Sequence, residues 1–315
     1  MTKIVVLNGD VVNYDHTMDW QQLGESVQVY PSSATDQILD RVQEATVVVT
    51  KEMPLPKAIV AQLPDSLKLV VEAGTGYNNH DLEALKAKHI ALANVPAYST
   101  QRVADTALML MLNLASSMQQ QLTMLAHGDH RNFSQHLMVP HVELNGKTLG
   151  VIGFGHIGQA LIKIAQAMDM QILVATRTKR DDRDGIHFTS QADLLVHSDF
   201  VSLNLPLTPD TANLIDASAL QLMKPSAFLI NTARGGLVDE PALIQALKHH
   251  EIAGAGLDVQ ASEPLADDSP LFALDNVIVT PHIGWRGLET RQRLVKIVAD
   301  DIQAFLQGEA LNRII

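Results

Sequence analysis

Three side chains that can move protons or bind anions each follow a short apolar run of the kind that forms a buried strand: Arg234, Glu263 and His282. Histidine can donate a proton near neutral pH, and a carboxylate beside it stabilises the imidazolium and orients the ring. Arginine stays charged and binds a carboxylate through a fork of N–H donors. Each residue taken singly is a common structural feature, so a catalytic assignment depends on the three together.

The elements that must position these residues are strands of a parallel sheet. The three apolar runs are Ala227–Ile230, Ala255–Val259 and Val277–Thr280. The carboxyl ends of parallel strands converge on one crevice, where open α/β sheets bind their ligands. We therefore expect the three polar side chains to meet there.

A glycine motif follows an earlier apolar run, Leu149–Ile152, and precedes apolar residues at helical spacing. In a strand–turn–helix, the first glycine of G-x-G-x-x-G permits a tight turn. The second lets the backbone approach a pyrophosphate, and the third lets helix and strand pack closely. The N–H groups of the first helical turn attract the anion. The motif predicts a dinucleotide site that includes Gly153, Gly155, His156, Ile157 and Gly158. The alternative is a glycine-rich turn that binds nothing.

The end of the next strand, Gln171–Ala175, bears on the choice of cofactor. An NAD-binding unit usually places Asp or Glu there, bound to the ribose 2′-hydroxyl. Here the position is taken by Thr176, followed by Arg177 and Thr178 in a basic run that continues to Arg180. A hydroxyl and a guanidinium favour a 2′-phosphate, so we expect NADP(H) in preference to NAD(H). The alternative is a solvated charge run, since several Asp residues follow.

Composition narrows the remaining possibilities. The chain has 315 residues, enough for about two domains, and 46% hydrophobic with 18% charged residues is typical of a globular protein. A net charge of −12 with no large basic cluster disfavours nucleic acid as a partner. There is no cysteine, which excludes disulfides, thiolate metal sites and a cysteine nucleophile.

The sequence predicts no metal site and no membrane-spanning segment. The histidines at positions 127, 130, 136 and 141 match no metal-ligand spacing. The most apolar helix, Val103–Leu114, is too short to span a bilayer, and the N-terminus reads as a first strand rather than a signal peptide. We expect a cytoplasmic protein, with non-classical export as the open alternative.

Strand and helix patterns alternate from the N-terminus, which favours α/β architecture with parallel sheets. The loop Glu72–Asn79 follows the fourth predicted strand. Gly74 and Gly76 could free its backbone N–H groups to hold a carboxylate, or the loop could be a plain turn that leads to an Asp81 helix cap. The sequence alone leaves both interpretations open. Farther on, an apolar helix is predicted from Val103 to about Met118.

Taken together, the sequence resembles the D-isomer-specific 2-hydroxyacid dehydrogenases over essentially its whole length. Within that family, Asn94–Thr100 and His282–Trp285 look most like the glycerate dehydrogenase/hydroxypyruvate (glyoxylate) reductase branch. The matching segments are Gly153–Gly158, Leu205–Thr211, Met223–Pro225, Asn231–Gly236, Gly254–Val259 with Glu263-Pro264, and Pro281-His282.

The resemblance implies two doubly wound parallel-sheet domains and a homodimer. A flavodoxin-like substrate-binding domain would consist of residues 1–98 and 286–315, and a Rossmann dinucleotide-binding domain would consist of residues 99–285. The long helix after Thr100 would contribute to the dimer contact.

It also implies an oxidoreductase that reduces a small 2-oxo acid of the glyoxylate or hydroxypyruvate type to the D-2-hydroxy acid with NAD(P)H. His282 would donate the proton, Glu263 would orient it, and Arg234 would hold the substrate carboxylate and polarise the carbonyl. Substrate binding would involve Thr75, Gly76, Arg234 and His282. The remaining cofactor contacts would be Leu205, Pro206, Thr232, Ala233, Gly284 and Asp258, the last orienting the nicotinamide carboxamide.

Two other functions stay open: the same reaction on a bulkier 2-oxo acid, and a nucleotide-sensing binding protein similar to a corepressor. Phosphoglycerate dehydrogenases carry Arg where this chain has Glu72. We expect the acid to repel a substrate phosphate, which disfavours 3-phosphoglycerate.

Overall fold

A computed structural model describes residues 2–178 and 180–315, so Lys179 in the basic run lies outside the described residues. The chain divides into two compact units. One consists of the residues up to Ser99 together with Trp285–Ile315, and the other is Thr100–Gly284. Among the described residues, no helix combines the length and apolar character that a membrane crossing requires.

The first unit contains a five-stranded parallel sheet in the order β2-β1-β3-β4-β5. Alternate side chains of each strand enter two apolar cores, Val6 on one face and Val5 on the other, as expected for a parallel sheet covered on both sides. The strands are β1 (Ile4–Val6), β2 (Val27–Val29), β3 (Val47–Thr50), β4 (Leu69–Glu72) and β5 (Ala91–Asn94). The helices before Ser99 are α1 (Asp10–Asn13), α2 (Ile38–Arg41), α3 (Lys57–Val60) and α4 (Leu82–Ala87).

The second unit contains a seven-stranded parallel sheet in the order β12-β11-β10-β9-β6-β7-β8. Its strands are β6 (Thr148–Ile152), β7 (Gln171–Ala175), β8 (Ile186–Phe188), β9 (Phe200–Leu203), β10 (Phe228–Asn231), β11 (Gly254–Leu257) and β12 (Val277–Val279). Its helices are α5 (Thr100–Ala115), α6 (Met118–Ala126), α7 (Arg131–Ser134), α8 (His156–Ala167), α9 (Gln191–His197), α10 (Ala217–Leu222) and α11 (Glu240–Lys248). The order reverses between β6 and β9, which defines a ligand-binding switch point at their carboxyl ends. The predicted fold class, α/β with two parallel sheets, is confirmed.

The helix predicted to run to Met118 is interrupted. Helix α5 ends at Ala115, Ser117 adopts a left-handed φ of 46°, and α6 begins at Met118. Apolar periodicity continues through the break, so the sequence pattern did not reveal it. The buried face of α5 packs against the second unit's sheet, where Gly256 allows Leu110 a close approach.

The C-terminal helix α12 (Leu288–Leu306) closes one face of the first sheet. Its apolar side chains, including Leu294 and Val298, are fully buried. Arg291 is 2% exposed and donates to both carboxylate oxygens of Asp15 and to the carbonyl of Val12. This bidentate pair holds the pKa of the Asp15 carboxyl well below its usual range and ties α12 to the segment after α1.

Asp301, on the same helix, is buried and only partly satisfied. Asn312 donates to its Oδ1 at 2.8 Å, whereas Oδ2 is buried without a hydrogen-bond partner among the described residues. Burial, with a smaller contribution from Asp300, raises the pKa of Asp301 from 3.8 to about 6. Because the folded state holds this proton more tightly than the unfolded state, stability falls as pH rises from about 4 to 6 and stays lower above that.

We therefore expect Asp301→Asn to stabilise the protein at pH 7.5 by about 1–2 kcal/mol, since it removes a buried charge but leaves the two N–H donors of the new amide without an acceptor. The gain should disappear near pH 4. Urea unfolding at both pH values measures it. The control is Glu289→Gln, at an exposed acid in the first turn of the same helix, which should not stabilise. An equal gain at both pH values would contradict this explanation.

Candidate active site and cofactor site

The glycine turn after β6 has the geometry of a dinucleotide site. Gly153 has a φ of +99°, and a Cβ there would lie 2.2 Å from the carbonyl oxygen of Asn204, so only glycine fits. A Cβ on Gly158 would lie 2.7 Å from the carbonyl oxygen of Gly153, whereas one on Gly155 would meet nothing within 4 Å. The turn is thus closed on the protein side and open at Gly155, where α8 begins at His156. A pyrophosphate could approach the backbone there.

Other predicted cofactor residues lie beside this turn along the strand ends. Leu205 and Pro206 directly follow Asn204, the residue that packs against Gly153. Thr232 follows β10, and its buried hydroxyl has no hydrogen-bond partner among the described residues. The next residue, Ala233, donates its N–H to the Asn231 side chain at 3.1 Å. A buried hydroxyl without a partner fits a polar cofactor group.

The residues after β7 bring additional arginines to the glycine turn. Thr176 is half-buried, while Arg177 and Thr178 are exposed. Arg180, the last residue of the basic run, and Arg183, which lies beyond it, stack on Phe154 within the G-x-G segment: their guanidinium carbons lie 5.3 and 5.4 Å from its ring centroid. The contact with Phe154 is tertiary and leaves no sequence signal.

His282 and Glu263 form a direct pair. The Nδ1 of His282 lies 2.8 Å from a carboxylate oxygen of Glu263, and the two side chains are 17% and 35% exposed. The other Glu263 oxygen accepts the N–H of Gln260 at 3.2 Å. Glu263 is therefore held at both oxygens, and its contact with Nδ1 fixes the orientation of the His282 ring.

Asp258 organises the turn that contains His282. Its carboxylate accepts hydrogen bonds from the Thr280 hydroxyl at 2.6 Å and from the N–H groups of Ile283 and Gly284, each at 2.8 Å. Burial raises the pKa of Asp258, and these hydrogen bonds only partly oppose the shift. A Cβ on Gly284 would lie 2.8 Å from the same carboxylate. Asp258 and Gly284 thus pack closely against each other. In the same turn, His282 has a left-handed φ of 51°.

Arg234 lies on the turn that follows β10, in the second unit. Asn231 donates to the carbonyl of Arg234 at 2.9 Å, and the guanidinium donates to the carbonyl of Ala233 at 2.7 Å. A Cβ on Gly235 would lie 1.9 Å from the carbonyl oxygen of Gln260, so this turn packs backbone to backbone against the segment that leads to Glu263. Within the described residues, Arg234 forms no ion pair with Glu263.

The Gly74–Gly76 loop of the first unit follows β4. The Asn94 side chain donates to the carbonyl of Thr75 at 2.7 Å, and the Thr75 hydroxyl donates to the carbonyl of Val95 at 2.9 Å. Among the described residues, the N–H groups of Thr75 and Gly76 have no acceptor in the protein. The loop therefore offers two donors on a fixed backbone, which suits a carboxylate.

Glu72, the last residue of β4, lies inside the first unit. It is fully buried, and its carboxylate accepts from the Thr50 hydroxyl at 2.9 Å and the Glu52 N–H at 2.8 Å, and contacts His80 Nε2 at 3.0 Å. This carboxylate is thus bound inside the first unit, and the expectation that an acid at this position repels a substrate phosphate stays a prediction.

The described residues contain no group of His, Asp or Glu side chains arranged to hold a metal ion. The four histidines at positions 127, 130, 136 and 141 are all exposed.

Comparison with known proteins identifies the family. Residues 108–284 match the model of the D-isomer specific 2-hydroxyacid dehydrogenase, NAD binding domain. The chain is 34% identical to a hydroxypyruvate reductase of Blautia hydrogenotrophica over 98% of both chains. The chain therefore belongs to the D-isomer specific 2-hydroxyacid dehydrogenase family, and the resemblance seen in the sequence is confirmed. It is an NAD(P)-dependent 2-hydroxyacid dehydrogenase.

Two solved structures extend the comparison. An acyclic imino acid reductase in complex with NADPH and D-Arg superimposes with a TM-score of 0.85 at 27% identity, covering 99% of this chain and 100% of that chain. A D-lactate dehydrogenase from Aquifex aeolicus, complexed with NAD and lactic acid, gives 0.85 at 29% identity, covering 98% and 96%. The neighbours bind either dinucleotide, so the fold does not decide between the two cofactors.

Proposed function

We propose that the protein reduces a small 2-oxo acid, of the glyoxylate or hydroxypyruvate type, to the D-2-hydroxy acid with NADPH as the preferred reductant. The observation that supports this most is the 2.8 Å contact between His282 Nδ1 and Glu263, in the unit that also holds the glycine turn. A hydroxypyruvate reductase among the relatives supports the substrate class.

His282 is the proposed proton donor. With Nδ1 bound to Glu263, the proton that reaches the substrate oxygen is the one on Nε2. The carboxylate stabilises the imidazolium before transfer and keeps the ring in one orientation. The bound reduced nicotinamide supplies the hydride to the carbonyl carbon.

Arg234 and the Gly74–Gly76 loop are the proposed anion-binding groups. One N–H of the guanidinium donates to the Ala233 carbonyl. Its other donors can bind the substrate carboxylate and polarise the carbonyl that becomes an alkoxide. The N–H groups of Thr75 and Gly76 would bind the carboxylate as well. These roles favour a substrate with its carboxylate next to the reacting carbonyl.

NADPH preference is proposed from the residues after β7. Thr176 replaces the carboxylate that an NAD site uses, and Arg177 and Thr178 follow it. Arg180 and Arg183, stacked on Phe154, add positive charge beside the glycine turn. A 2′-phosphate would gain charge-assisted hydrogen bonds there. Asp258, Gly284, Leu205, Pro206, Thr232 and Ala233 remain proposed cofactor contacts.

A homodimer is proposed from the surface of α6 and the segment that follows. Met118, Leu122 and Leu125 of α6 are exposed, and Phe133 is 78% exposed. Such a concentration of exposed apolar side chains favours burial against a second copy. The division into a substrate domain, 1–98 with 286–315, and a nucleotide domain, 99–285, is likewise proposed. The cytoplasmic location stays a prediction.

The first test is a substrate panel run with both reduced cofactors. We expect glyoxylate or hydroxypyruvate to give the highest kcat/KM, with a D-configured product from hydroxypyruvate and a preference for NADPH of about tenfold or more. A branched 2-oxo acid should be a poorer substrate. Higher efficiency with NADH would contradict the cofactor assignment. NADPH binding without turnover of any acid would favour the corepressor-like alternative.

The second test addresses the proton donor. His282→Gln should lower kcat by about 10²–10⁴-fold, because no other group would protonate the developing alkoxide. The NADPH dissociation constant, measured by fluorescence titration, should stay within about twofold of the parent. His249→Gln, at an exposed histidine of the same unit, is the matched control and should leave kcat unchanged. Near-parental turnover by His282→Gln would rule out the assigned role.

A further inference from the structure

Lys51 is a buried cation at the end of β3. Its side chain is only 4% exposed, and its ammonium lies 2.7 Å from a carboxylate oxygen of Glu52 and 4.1 Å from the ring centroid of Trp285. Burying an ammonium is costly even when it is paired. The side chain of its partner Glu52 is 38% exposed, so the ion pair lies close to solvent although the ammonium itself is buried.

The ammonium lies directly against the Gly74–Gly76 loop. A Cβ on Gly74 would lie 3.1 Å from the Lys51 Nζ and 3.2 Å from a carboxylate oxygen of Glu72. A side chain at position 74 would therefore press on both charged groups. The absence of a side chain there lets the ammonium lie beside Gly74, the residue that precedes the Thr75 and Gly76 N–H groups proposed to hold the substrate carboxylate.

Several charged groups surround the Lys51 ammonium and the neighbouring loop. Two carboxylates lie nearby: Glu52, paired with Lys51, and Glu72, bound to Thr50 and His80. Burial alone would lower the pKa of Lys51, but the charges of Glu52 and Glu72, and of Tyr98 at a pH high enough to ionise its phenol, outweigh it and raise that pKa above its ordinary value. Burial also raises the pKa of Tyr98, so this phenol is uncharged at neutral pH. The guanidinium carbon of Arg286 lies 5.5 Å from the centroid of the Trp285 ring.

We propose that Lys51 is a positioning residue for the substrate carboxylate: its ammonium offsets the two carboxylates behind the Gly74–Gly76 loop, so that an anion can bind the loop N–H groups. Without this cation, the anion would face two nearby negative charges. The proposal rests on the proposed function of the loop in binding a 2-oxo acid. Lys51 acts through the loop and the local field, without contact with the reacting atoms.

The test replaces the charge while keeping the chain length. Lys51→Met should raise the KM for glyoxylate by about tenfold to thirtyfold, as expected for losing one nearby charge in a partly shielded site. kcat should stay within about threefold and the NADPH dissociation constant within about twofold. Lys51→Arg should keep most of the parental KM. Lys3→Met, which removes a partly exposed lysine paired with Glu44 in the same unit, should change nothing.

A purely structural role for Lys51 predicts other results. A distorted loop would lower kcat and raise KM together, and Lys51→Arg would not restore the parental values. An electrostatic role also predicts that the KM of Lys51→Met depends less on salt concentration than the parental KM does. If Lys51→Met does not fold, Lys51→Gln serves in the same comparison, with the melting temperature recorded for every variant.

A binding measurement separates this proposal from the proposed reaction. Calorimetric titration of oxalate into the NADPH-saturated protein reports carboxylate binding without turnover. If the parent reduces no 2-oxo acid, the proposed function fails, and weaker oxalate binding by Lys51→Met would still support the anion role. Equal oxalate affinity of parent and Lys51→Met, or no oxalate binding by either, would overturn the proposal even if the parent is an active reductase.

Discussion

The candidate chemistry depends on the buried Asp258 carboxylate and the turn it holds. Three donors from Thr280, Ile283 and Gly284 converge on its two oxygens, and this fixes a turn in which His282 has a left-handed φ. Such a conformation is uncommon for a residue with a side chain and persists where its surroundings enforce it. The imidazole of His282 reaches Glu263 because the hydrogen bonds of Asp258 set the backbone geometry of this turn.

Close backbone contacts fix the neighbouring segments in the same way. Gly235 packs against the carbonyl of Gln260, and Gly153 packs against the carbonyl of Asn204. The Gln260 side chain donates to the carbonyls of Leu257 and Thr280, which joins the ends of β11 and β12. Glycine contacts and hydrogen bonds thus hold the backbone near the catalytic candidates of the second unit, while the contact between His282 and Glu263 orients those two side chains.

Much of this could be predicted from the sequence, because apolar runs mark buried parallel strands well. Strand β7 matches the predicted residues, Gln171–Ala175, at both ends. Strand β8 was missed because it has three residues with a polar His187 in the middle. The break at Ser117, the stacking of arginines on Phe154 and the inward direction of Glu72 depend on tertiary contacts that no local pattern encodes. Lys51 also escaped notice, because a lone lysine after a strand normally lies in solvent.

The central claim is that Asp258 acts on His282 through the turn. The most direct measurement is kcat with hydroxypyruvate for Asp258→Asn, together with the NADPH dissociation constant. Asn cannot accept all three hydrogen bonds, so the account predicts a loss of kcat of about 10²-fold or more, with a smaller loss of NADPH affinity because Asp258 is also a proposed cofactor contact. Parental kcat with strongly weakened NADPH binding would contradict it, and would instead indicate that Asp258 serves the cofactor alone.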